Sequence, residues 1–347
     1  MLYNSVLSFC WAFLIAVFAI PSIVYVAHIK KLLDEPNVRT VHESLTPRLG
    51  GLAIFAGFMS ALTIFGSLEN GVQQVLAGSI IIFFIGLKDD VVPVSAFKKF
   101  FVQVLAAGIV MFVADIRISD FKGMLGLYEV ENGISYVVTF LVIIGITNAI
   151  NLIDGVDGLA GVIVMIITST FGVYFYLYGG ELLGGYSYVA FSLLGSVMGF
   201  LRYNFHKAII FMGDTGSLVS GFILSILGIQ FVRMEAFDAS PSIAIAVLII
   251  PIMDTLRVFL LRILNGTSPF APDKNHIHHR LMDLGFSQVM TVFLLALINL
   301  LAILGVNILS NLENNYLLLL LIGYGFIVTG VIEIFYLRLK RENASVQ

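Results

Sequence analysis

The chain is built from long apolar runs, and short connecting segments hold nearly all of its charged residues. Each run is close to the length, about 20 residues, that an α-helix needs to cross the ~30 Å hydrocarbon core of a bilayer. The runs are continuously apolar rather than alternating, which favours membrane helices over a membrane β-barrel. The pattern predicts eleven spans, at approximately 3–27, 49–66, 72–88, 98–114, 134–150, 158–177, 186–201, 214–232, 242–263, 289–309 and 315–337.

Composition supports this pattern. Hydrophobic residues make up 59% of the chain and charged residues only 12%, whereas a soluble domain carries about 25% charged residues. No linker or low-complexity tract divides the chain, so we expect an all-α, polytopic integral membrane protein with a single domain over residues 1–347. Its one cysteine, Cys10, lies in the first run, which excludes a disulfide framework.

The connections between the runs differ in charge. Lys and Arg concentrate in every second connection and in the C-terminal segment 338–347, whereas the intervening connections are mainly acidic. By the positive-inside rule, the basic connections are cytoplasmic, which places the N-terminus outside and the C-terminus inside. The cytoplasmic face would then receive all the segments with candidate chemistry, at 28–48, 88–98, 148–157, 202–213 and 264–288.

Two adjacent carboxylates, Asp89 and Asp90, end the third run just before Val91-Val92-Pro93, which stops the helix. Neighbouring negative charges repel, so they favour a bound cation, a shared proton or a nearby lysine. Lys99 lies ten residues further on. The alternative is that the pair is only a solvated helix terminus.

A second acidic cluster consists of Asn151, Asp154 and Asp157. Their i, i+3, i+6 spacing would align them roughly along one face of a helix. An amide oxygen with carboxylates is a hard-oxygen set that suits Mg²⁺ or Mn²⁺ rather than Zn²⁺. The alternative, that Asp157 caps the next span, explains only one of the three residues.

The third cluster is Phe211-Met-Gly-Asp-Thr-Gly-Ser217, at the start of a span. Glycines and hydroxyls at a helix N-terminus favour a phosphate, because the unpaired N–H groups and the helix dipole point at it. Asp214 is then a candidate ligand for a metal that bridges phosphates. A simple helix N-cap is the alternative.

Three histidines, His276, His278 and His279, lie in the long basic connection. No cysteine accompanies them, so they do not form a structural zinc pattern. Contact with a phosphate or sugar-phosphate is the preferred interpretation, and a solvated loop is the alternative. Arg48, in Pro47-Arg48-Leu49-Gly50-Gly51, would lie near an anionic head group, although positive-inside charge explains this arginine equally well.

Taken in order, these segments resemble the polyprenyl-phosphate N-acetylhexosamine-1-phosphate transferases of glycosyltransferase family 4. The resemblance runs from about Asp34 to Ser287. No single block is decisive, but their joint order is specific. The blocks are Arg39-x-x-His42 with Pro47-Arg48-x-Gly50-Gly51, Asp89-Asp90, Asn151-x-x-Asp154-Gly-x-Asp157-Gly, Phe211-x-Gly-Asp214-Thr-Gly-Ser and His276-x-His278-His279. The closer similarity is to the WecA/TagO-type GlcNAc-1-phosphate transferases, because MraY-type enzymes usually carry three adjacent histidines.

The resemblance implies that a UDP-N-acetylhexosamine, most simply UDP-GlcNAc, and undecaprenyl phosphate give a polyprenyl-diphospho-sugar and UMP. This Mg²⁺-dependent reaction, for which Mn²⁺ is an alternative ion, starts lipid-linked cell-surface polysaccharide synthesis at the cytoplasmic side of the cell (inner) membrane. The bilayer is a further partner, nucleic acid is not, and a homodimer is compatible with the resemblance. The residues involved would be Asp89, Asp90, Asp154, Asp157 and His279 in catalysis, Lys99, Asn204, Phe211, His276, His278 and Arg48 in substrate binding, and Asp214 and Asn151 in metal binding.

Two alternatives stay open from the sequence. The same chemistry could use another donor, such as UDP-GalNAc, a UDP-deoxy-N-acetylhexosamine or UDP-MurNAc-pentapeptide. A cation-coupled transporter is the alternative from a different class, since carboxylates in membranes also line ion pathways. Such a pathway would need acidic groups near mid-bilayer. Apart from the clusters at the ends of the predicted spans, Asp254 and Glu333 are the only carboxylates within them.

Overall fold

The computed structural model describes residues 2–33, 45–268 and 275–345, without the side chains of 343–345. The segment 34–42, with Arg39 and His42, lies outside the described residues, as do Asp273 and Lys274. The long helices are α1 Leu2–Lys30, α2 Gly50–Phe65, α3 Val72–Val91, α4 Ala96–Gly108, α5 Asn132–Ile153, α6 Leu159–Tyr178, α8 Tyr186–Asn204, α9 Gly213–Val232, α11 Ile249–Leu264, α13 Gln288–Ile308 and α14 Asn314–Ser345. The short ones are α7 Gly180–Leu183, α10 Ser240–Val247, α12 Ile277–Asp283, a π-helical turn Ile109–Val113 after α4 and a 3₁₀ turn Met124–Gly126.

The predicted all-α membrane fold is confirmed. Over the described residues, nine helical segments are long and apolar enough to cross a bilayer. The pair α10 and α11 makes a further, broken span with a bend of 74°, and α2 is an apolar helix of 16 residues. These helices coincide with the eleven predicted runs. The protein is therefore a multi-pass membrane protein, although the run at 242–263 is not one continuous helix.

The break between α10 and α11 combines a proline with a contact from another helix. Pro251 has no N–H and therefore cannot donate to the carbonyl of Val247. Asn299 on α13 replaces the missing donor, since its side-chain amide lies 3.2 Å from the Val247 oxygen and 3.3 Å from the Ala246 oxygen. Backbone carbonyls in a membrane require such partners, because lipid supplies none. A buried amide on one helix thus stabilises the break in its neighbour.

Helix α9 forms the centre of the bundle, and every one of its residues except Asp214 is buried. A helix that is apolar on all sides belongs in a core, and α9 packs against α2, α3, α5, α6 and α10. Small residues let the neighbours approach closely. A Cβ on Gly221 would lie 2.7 Å from the Thr147 carbonyl of α5. Side chains at the start of α9 are therefore held in a rigid frame.

The candidate segments meet at one end of this bundle, where α3 and α5 end and α9 begins. At the other end, the Lys122 ammonium donates to the carbonyls of Met234 and Phe237, just beyond the end of α9, at 2.6 and 2.8 Å. The two sets of connections predicted from charge are thus at opposite ends of the helices. This separation leaves the polar clusters together at a single end.

Candidate active site

The start of α9 is capped by a carboxylate from another helix. Asp90, near the end of α3, accepts hydrogen bonds from the backbone N–H groups of Asp214 and Thr215 at 2.7 and 2.9 Å, and from the Thr215 hydroxyl. A carboxylate at a helix N-terminus satisfies unpaired donors and complements the dipole. The solvated-terminus alternative for Asp90 is therefore wrong. One of its oxygens holds the Asp214 N–H and the other holds the N–H and hydroxyl of Thr215.

This contact requires the backbones of α3 and α9 to be very close. A Cβ on Gly86 of α3 would lie 2.6 Å from the Cα of Thr215 and 2.9 Å from the Asp214 carbonyl oxygen. Gly213 has φ +70, and a Cβ there would lie 2.2 Å from the Arg48 carbonyl. Only glycine fits such positions without moving the backbone.

Gly86→Ala is expected to lower both the thermal midpoint and the activity, the latter by at least ~10-fold, because overpacking costs about 1–3 kcal/mol and here pushes α3 away from α9. The matched control is Gly305→Ala on α13, where no atom lies within 4 Å of the added Cβ and helix propensity favours alanine. Thermal unfolding and turnover of the purified variants measure both effects. Equal behaviour of the two variants would contradict the close-contact explanation.

Lys99 joins two of the predicted acidic residues. Its ammonium lies 2.8 Å from Asp214 Oδ2 and 3.2 Å from Asp89 Oδ2, and Asp89 Oδ1 accepts the N–H of Val94 at 2.6 Å. The structure therefore brings together Asp89, Lys99 and Asp214 from three helices. Asp214 is not the N-cap of α9, since Met212 holds that position, so the capping alternative for Asp214 is wrong.

The second acidic cluster does not lie on one helical face. Helix α5 ends at Ile153, and Asp154 and Asp157 lie in the turn before α6, so the predicted helical alignment is wrong. Asn151, still on α5, donates to the Ser217 hydroxyl at 2.8 Å and to Asp214 Oδ1 at 3.3 Å. The turn nevertheless brings the cluster to the Asp214 site by a different geometry.

Asp157 and Asn204 tie this turn to the segment before α9. The buried Asp157 accepts the Ala208 N–H at 3.1 Å. Gly158, not Asp157, holds the N-cap position of α6, and its N–H donates to Asn204 Oδ1 at 2.8 Å. Asn204 also donates to the Ile210 carbonyl at 2.9 Å. The capping alternative for Asp157 is wrong, and Asn204, predicted to bind substrate, uses its side chain to hold two backbone segments.

Asp154 is half-buried at the centre of these charges. Burial raises the pKa of its carboxyl to about 7, with a further increase from the negative charges of Asp214 and Asp90, while the exposed Arg48 opposes the shift. Asp154 is therefore close to half ionised near neutral pH, and a nearby cation would favour its charged form.

Asp154→Asn is expected to gain thermal stability relative to the native chain as pH rises. A carboxyl whose pKa is higher in the folded than in the unfolded chain binds more protons when folded, so its ionisation destabilises the fold from about pH 4 to about pH 7. The amide that replaces the carboxyl cannot ionise. Unfolding midpoints measured in chelator between about pH 5 and pH 8, with Asp283→Asn at an exposed site as control, should show this divergence. A constant difference would contradict the assigned shift.

The loop that carries Arg48 pairs with the segment that leads into α9. The N–H groups of Gly50 and Gly51 donate to the carbonyls of Phe211 and Met212, both at 2.9 Å, and the Phe211 N–H donates to the Pro47 carbonyl at 2.9 Å. This pairing fixes Phe211, whose ring is half-buried, next to the start of α9.

The histidines are not in a solvated loop, so that alternative is wrong for His276 and His278. His276 is 5% exposed and His278 is 1% exposed. The His278 ring lies against the Asp154–Asp157 turn, since its Nε2 is 2.8 Å from the position of a Cβ on Gly155. Burial lowers the pKa of His278 to about 3, with His279 and His276 adding to the shift against the opposing charge of Asp254. At physiological pH, His278 is therefore a neutral hydrogen-bonding group.

The side chains around Asp214 can be compared with the ligands that Mg²⁺ prefers. Within the described ranges, no three His, Cys, Asp or Glu side chains converge as a metal cage. Mg²⁺ does not require one, because it is usually held by one or two carboxylates together with substrate phosphates and water. The carboxylate of Asp214 already faces a cation, the Lys99 ammonium, and Asn151 is in contact with the same carboxylate. These residues therefore fit a Mg²⁺ site that is completed by substrate.

Two carboxylates inside spans were left without a role by the sequence. Asp254 accepts hydrogen bonds from His276 and Ile277, and Glu333 contacts Arg257 and Arg280. Both hold the histidine-bearing segment rather than line a path through the bilayer, which does not favour the transporter alternative. The sequence offers only one indication of a role for these two residues: charges inside apolar spans are costly and are therefore paired or functional.

Fold and site together define a multi-pass membrane protein with acidic, basic and histidine side chains gathered at one end of the bundle. Residues 72–232 match the glycosyl transferase family 4. The chain is 40% identical over 268 residues to a probable undecaprenyl-phosphate N-acetylglucosaminyl 1-phosphate transferase of Bacillus subtilis, covering 77% of this chain and 74% of that protein.

Two further relatives are more distant. An undecaprenyl-phosphate α-N-acetylglucosaminyl 1-phosphate transferase of Yersinia pestis is 31% identical, over 79% of this chain and 76% of its own. A decaprenyl-phosphate N-acetylglucosaminephosphotransferase of Mycolicibacterium smegmatis is 34% identical, over 76% and 71%. The chain belongs to glycosyl transferase family 4.

Proposed function

We propose that this protein transfers GlcNAc-1-phosphate from UDP-GlcNAc to a polyprenyl phosphate, most simply undecaprenyl phosphate, and releases UMP. The observation that carries the proposal is the convergence of Asp89, Lys99 and Asp214 from three helices. The named activities of the relatives agree with it. In this reaction an oxygen of the lipid phosphate forms a bond to the β-phosphorus of the donor, and the bond between that phosphorus and the bridging oxygen breaks, so that UMP leaves.

The chain's own residues supply positioning and charge. Asp89 would orient the lipid phosphate and accept its proton, because its second carboxylate oxygen already accepts the Val94 N–H and so fixes the rotamer. Lys99 would contact the phosphates, since its ammonium lies between Asp89 and Asp214. Positioned charges of this kind supply most of the catalysis in phosphoryl transfer.

The remaining site residues would form the nucleotide and sugar side. Phe211 would stack on the uracil, supported by its fixed position beside α9. Asp154 and Asp157 shape the turn that faces the histidines, and His278 would donate a hydrogen bond as a neutral imidazole. His279 and Arg48 would meet the phosphates or the sugar. Asp90 and Asn204 would act by holding the backbone of this site.

Asp214 and Asn151 would hold Mg²⁺, or alternatively Mn²⁺. When bound, this ion supplies charge neutralisation for the diphosphate of the donor. The support is chemical: a carboxylate and an amide oxygen are hard ligands that suit either ion. Lys99 would then be freed from Asp214 to interact with phosphate.

An apolar cavity supports a lipid substrate. It has a volume of about 410 Å³ and lies between α5, α9 and the broken span, with Ile146, Ile229 and Leu248 among its lining residues. Such a surface in a bilayer suits an isoprenoid chain better than a polar ligand. The basic connections at the site end support a cytoplasmic active site in the cell membrane, where a soluble nucleotide sugar meets a lipid phosphate.

The test is UMP release by the purified protein in lipid nanodiscs. Undecaprenyl phosphate is supplied with Mg²⁺ and, separately, UDP-GlcNAc, UDP-GalNAc, UDP-glucose or UDP-MurNAc-pentapeptide. We expect UMP release with UDP-GlcNAc that depends on both the lipid and the ion. Release with a different donor alone would overturn the donor assignment, and release with none would overturn the enzyme assignment.

A further inference from the structure

A buried carboxylate holds the histidine segment in place. Asp254, on α11 just after the break in its span, has 0% exposure. Its Oδ2 lies 2.8 Å from His276 Nδ1, and its Oδ1 accepts the Ile277 N–H at 2.8 Å. One carboxylate therefore caps α12 and orients the first histidine of the motif. It contacts neither Asp214 nor Lys99 through any hydrogen bond that the structure describes.

The contact with Asp254 decides which nitrogen of His276 is available to a ligand. A carboxylate accepts from a protonated ring nitrogen, so Nδ1 carries the proton and Nε2 is the nitrogen that keeps its lone pair. An imidazole held in this way has a fixed tautomer and a fixed ring plane. The same carboxylate–histidine arrangement orients metal-binding and catalytic histidines in other proteins.

The orientation of the His276 ring constrains the neighbouring His278 ring. His276 and His278 are stacked, with ring centroids 5.6 Å apart and planes 8° from parallel. His278 in turn rests on Gly155, between the acidic residues of the turn. Neither ring nitrogen of His278 has a hydrogen-bond partner among the described residues, although both are buried. Unpaired buried polar atoms are costly, so these nitrogens point to a polar ligand that completes the site.

A second anchor fixes the chain just before the histidines. Glu333 on α14 contacts Arg257 and lies 3.6 Å from Arg280. Arg257 donates to the Asn275 carbonyl at 2.6 Å, and Arg280 donates to the Asn275 side chain at 2.7 Å. This anchor is independent of Asp254, so loss of Asp254 alone should leave α12 attached to the bundle.

We propose that Asp254 is a positioning residue of the transferase. It fixes the tautomer and ring plane of His276, and through the stacked rings it presents the His278 nitrogens to the diphosphate or sugar of the donor. The inference rests on the proposed function for the identity of that ligand. Asp254 itself touches no reacting atom, and its effect on the reaction passes through His276.

A double-mutant cycle tests this dependence. Asp254→Asn keeps an oxygen for the Ile277 N–H but sets an N–H₂ donor against the His276 Nδ1–H, which forces the other tautomer. We expect a ~10–100-fold fall in kcat, with a smaller change in KM for UDP-GlcNAc, as for other outer residues that orient a histidine. If Asp254 acts through His276, Asp254→Asn combined with His276→Ala should be no slower than His276→Ala alone.

Asn299→Ala is the matched control. Asn299 is buried and bonds the same broken span at Ala246 and Val247, without a hydrogen bond to the histidine segment. Asn299→Ala should lower the thermal midpoint. Any effect that it has on kcat should be additive with that of Asp254→Asn. Additive behaviour of Asp254→Asn with His276→Ala as well would overturn the positioning role and leave Asp254 as a purely structural group.

A measurement without turnover separates this inference from the proposed function. Hydrogen–deuterium exchange of the peptide covering residues 275–285 is compared between the native chain and Asp254→Asn without substrate, and again with UDP-GlcNAc. We expect UDP-GlcNAc to protect this peptide in the native chain and to protect it less in the variant. Equal protection in both would overturn the inference. Absence of UMP release from every donor by the native chain would instead overturn the proposed function.

Discussion

Asp214→Asn is expected to lower turnover by about 10³-fold or more while the thermal midpoint changes little, because preorganised charge at the transferring phosphate is typically worth that much. The side chain keeps its size and loses its charge, so the contact with Lys99 at 2.8 Å is no longer an ion pair. The backbone N–H groups at this position remain bound to Asp90, and the start of α9 should therefore stay in place.

The Asp214→Asn variant should also bind divalent cations at least ~10-fold more weakly, since a neutral amide is a poorer ligand than a carboxylate. Electron paramagnetic resonance of Mn²⁺ titrated into nanodiscs measures this directly. Glu69→Gln, an exposed carboxylate at the opposite end of the bundle, serves as control. Unchanged metal-dependent turnover in Asp214→Asn would remove Asp214 from the metal site.

Lys99→Met is expected to lower turnover by about 10²–10³-fold and, unlike Asp214→Asn, to raise the affinity for Mn²⁺. The ammonium is the cation that lies against both Asp214 and Asp89, at 2.8 and 3.2 Å. Without it, the two carboxylates repel and favour a bound metal ion more strongly. Both variants should turn over slowly, but Asp214→Asn should bind Mn²⁺ more weakly and Lys99→Met more tightly than the native chain. This difference would distinguish a metal ligand from a substrate-binding cation.

Lys98→Met is the matched control for Lys99→Met. Lys98 is the preceding residue on α4 and is exposed, so its loss removes the same charge from the same helix without touching the acidic pair. It should retain near-native turnover and metal affinity. If Lys99→Met bound Mn²⁺ more weakly than the native chain, the assignment of Lys99 as a competing internal cation would be contradicted.

The spans and the shared polar end could be predicted from sequence because both depend on local patterns. A run of about 20 apolar residues has few alternatives to a membrane helix. Basic and acidic connections also alternate along the chain, because successive connections lie at opposite ends of the bundle. The break in the span at 242–263 was not predicted. It depends on Asn299, whose side chain supplies donors to carbonyls that the broken helix leaves unpaired, and no local pattern contains that contact.

The residues of the candidate site and a role for each could be proposed from sequence, but the contacts that each side chain makes could not. Asp89 and Asp90 look equivalent in sequence, yet one faces Lys99 while the other caps α9, 124 residues further along the chain. The side chain of Asn204 bonds two backbone segments, a contact that its place in the sequence does not indicate. The part played by Asp254 also depends on a tertiary contact, with His276. Such distinctions arise only from packing.

The central claim is that the converging side chains transfer a sugar together with its phosphate, and the fate of the β-phosphorus tests it most directly. Purified protein in nanodiscs is given undecaprenyl phosphate, Mg²⁺ and UDP-GlcNAc labelled with ³²P at the β-phosphorus. We predict that the label moves to the organic phase as a lipid diphosphate while unlabelled UMP is released, and that Asp214→Asn lowers both by about 10³-fold or more. Label that stays in aqueous UDP while the sugar moves to the lipid would mean glycosyl transfer, and would contradict the account.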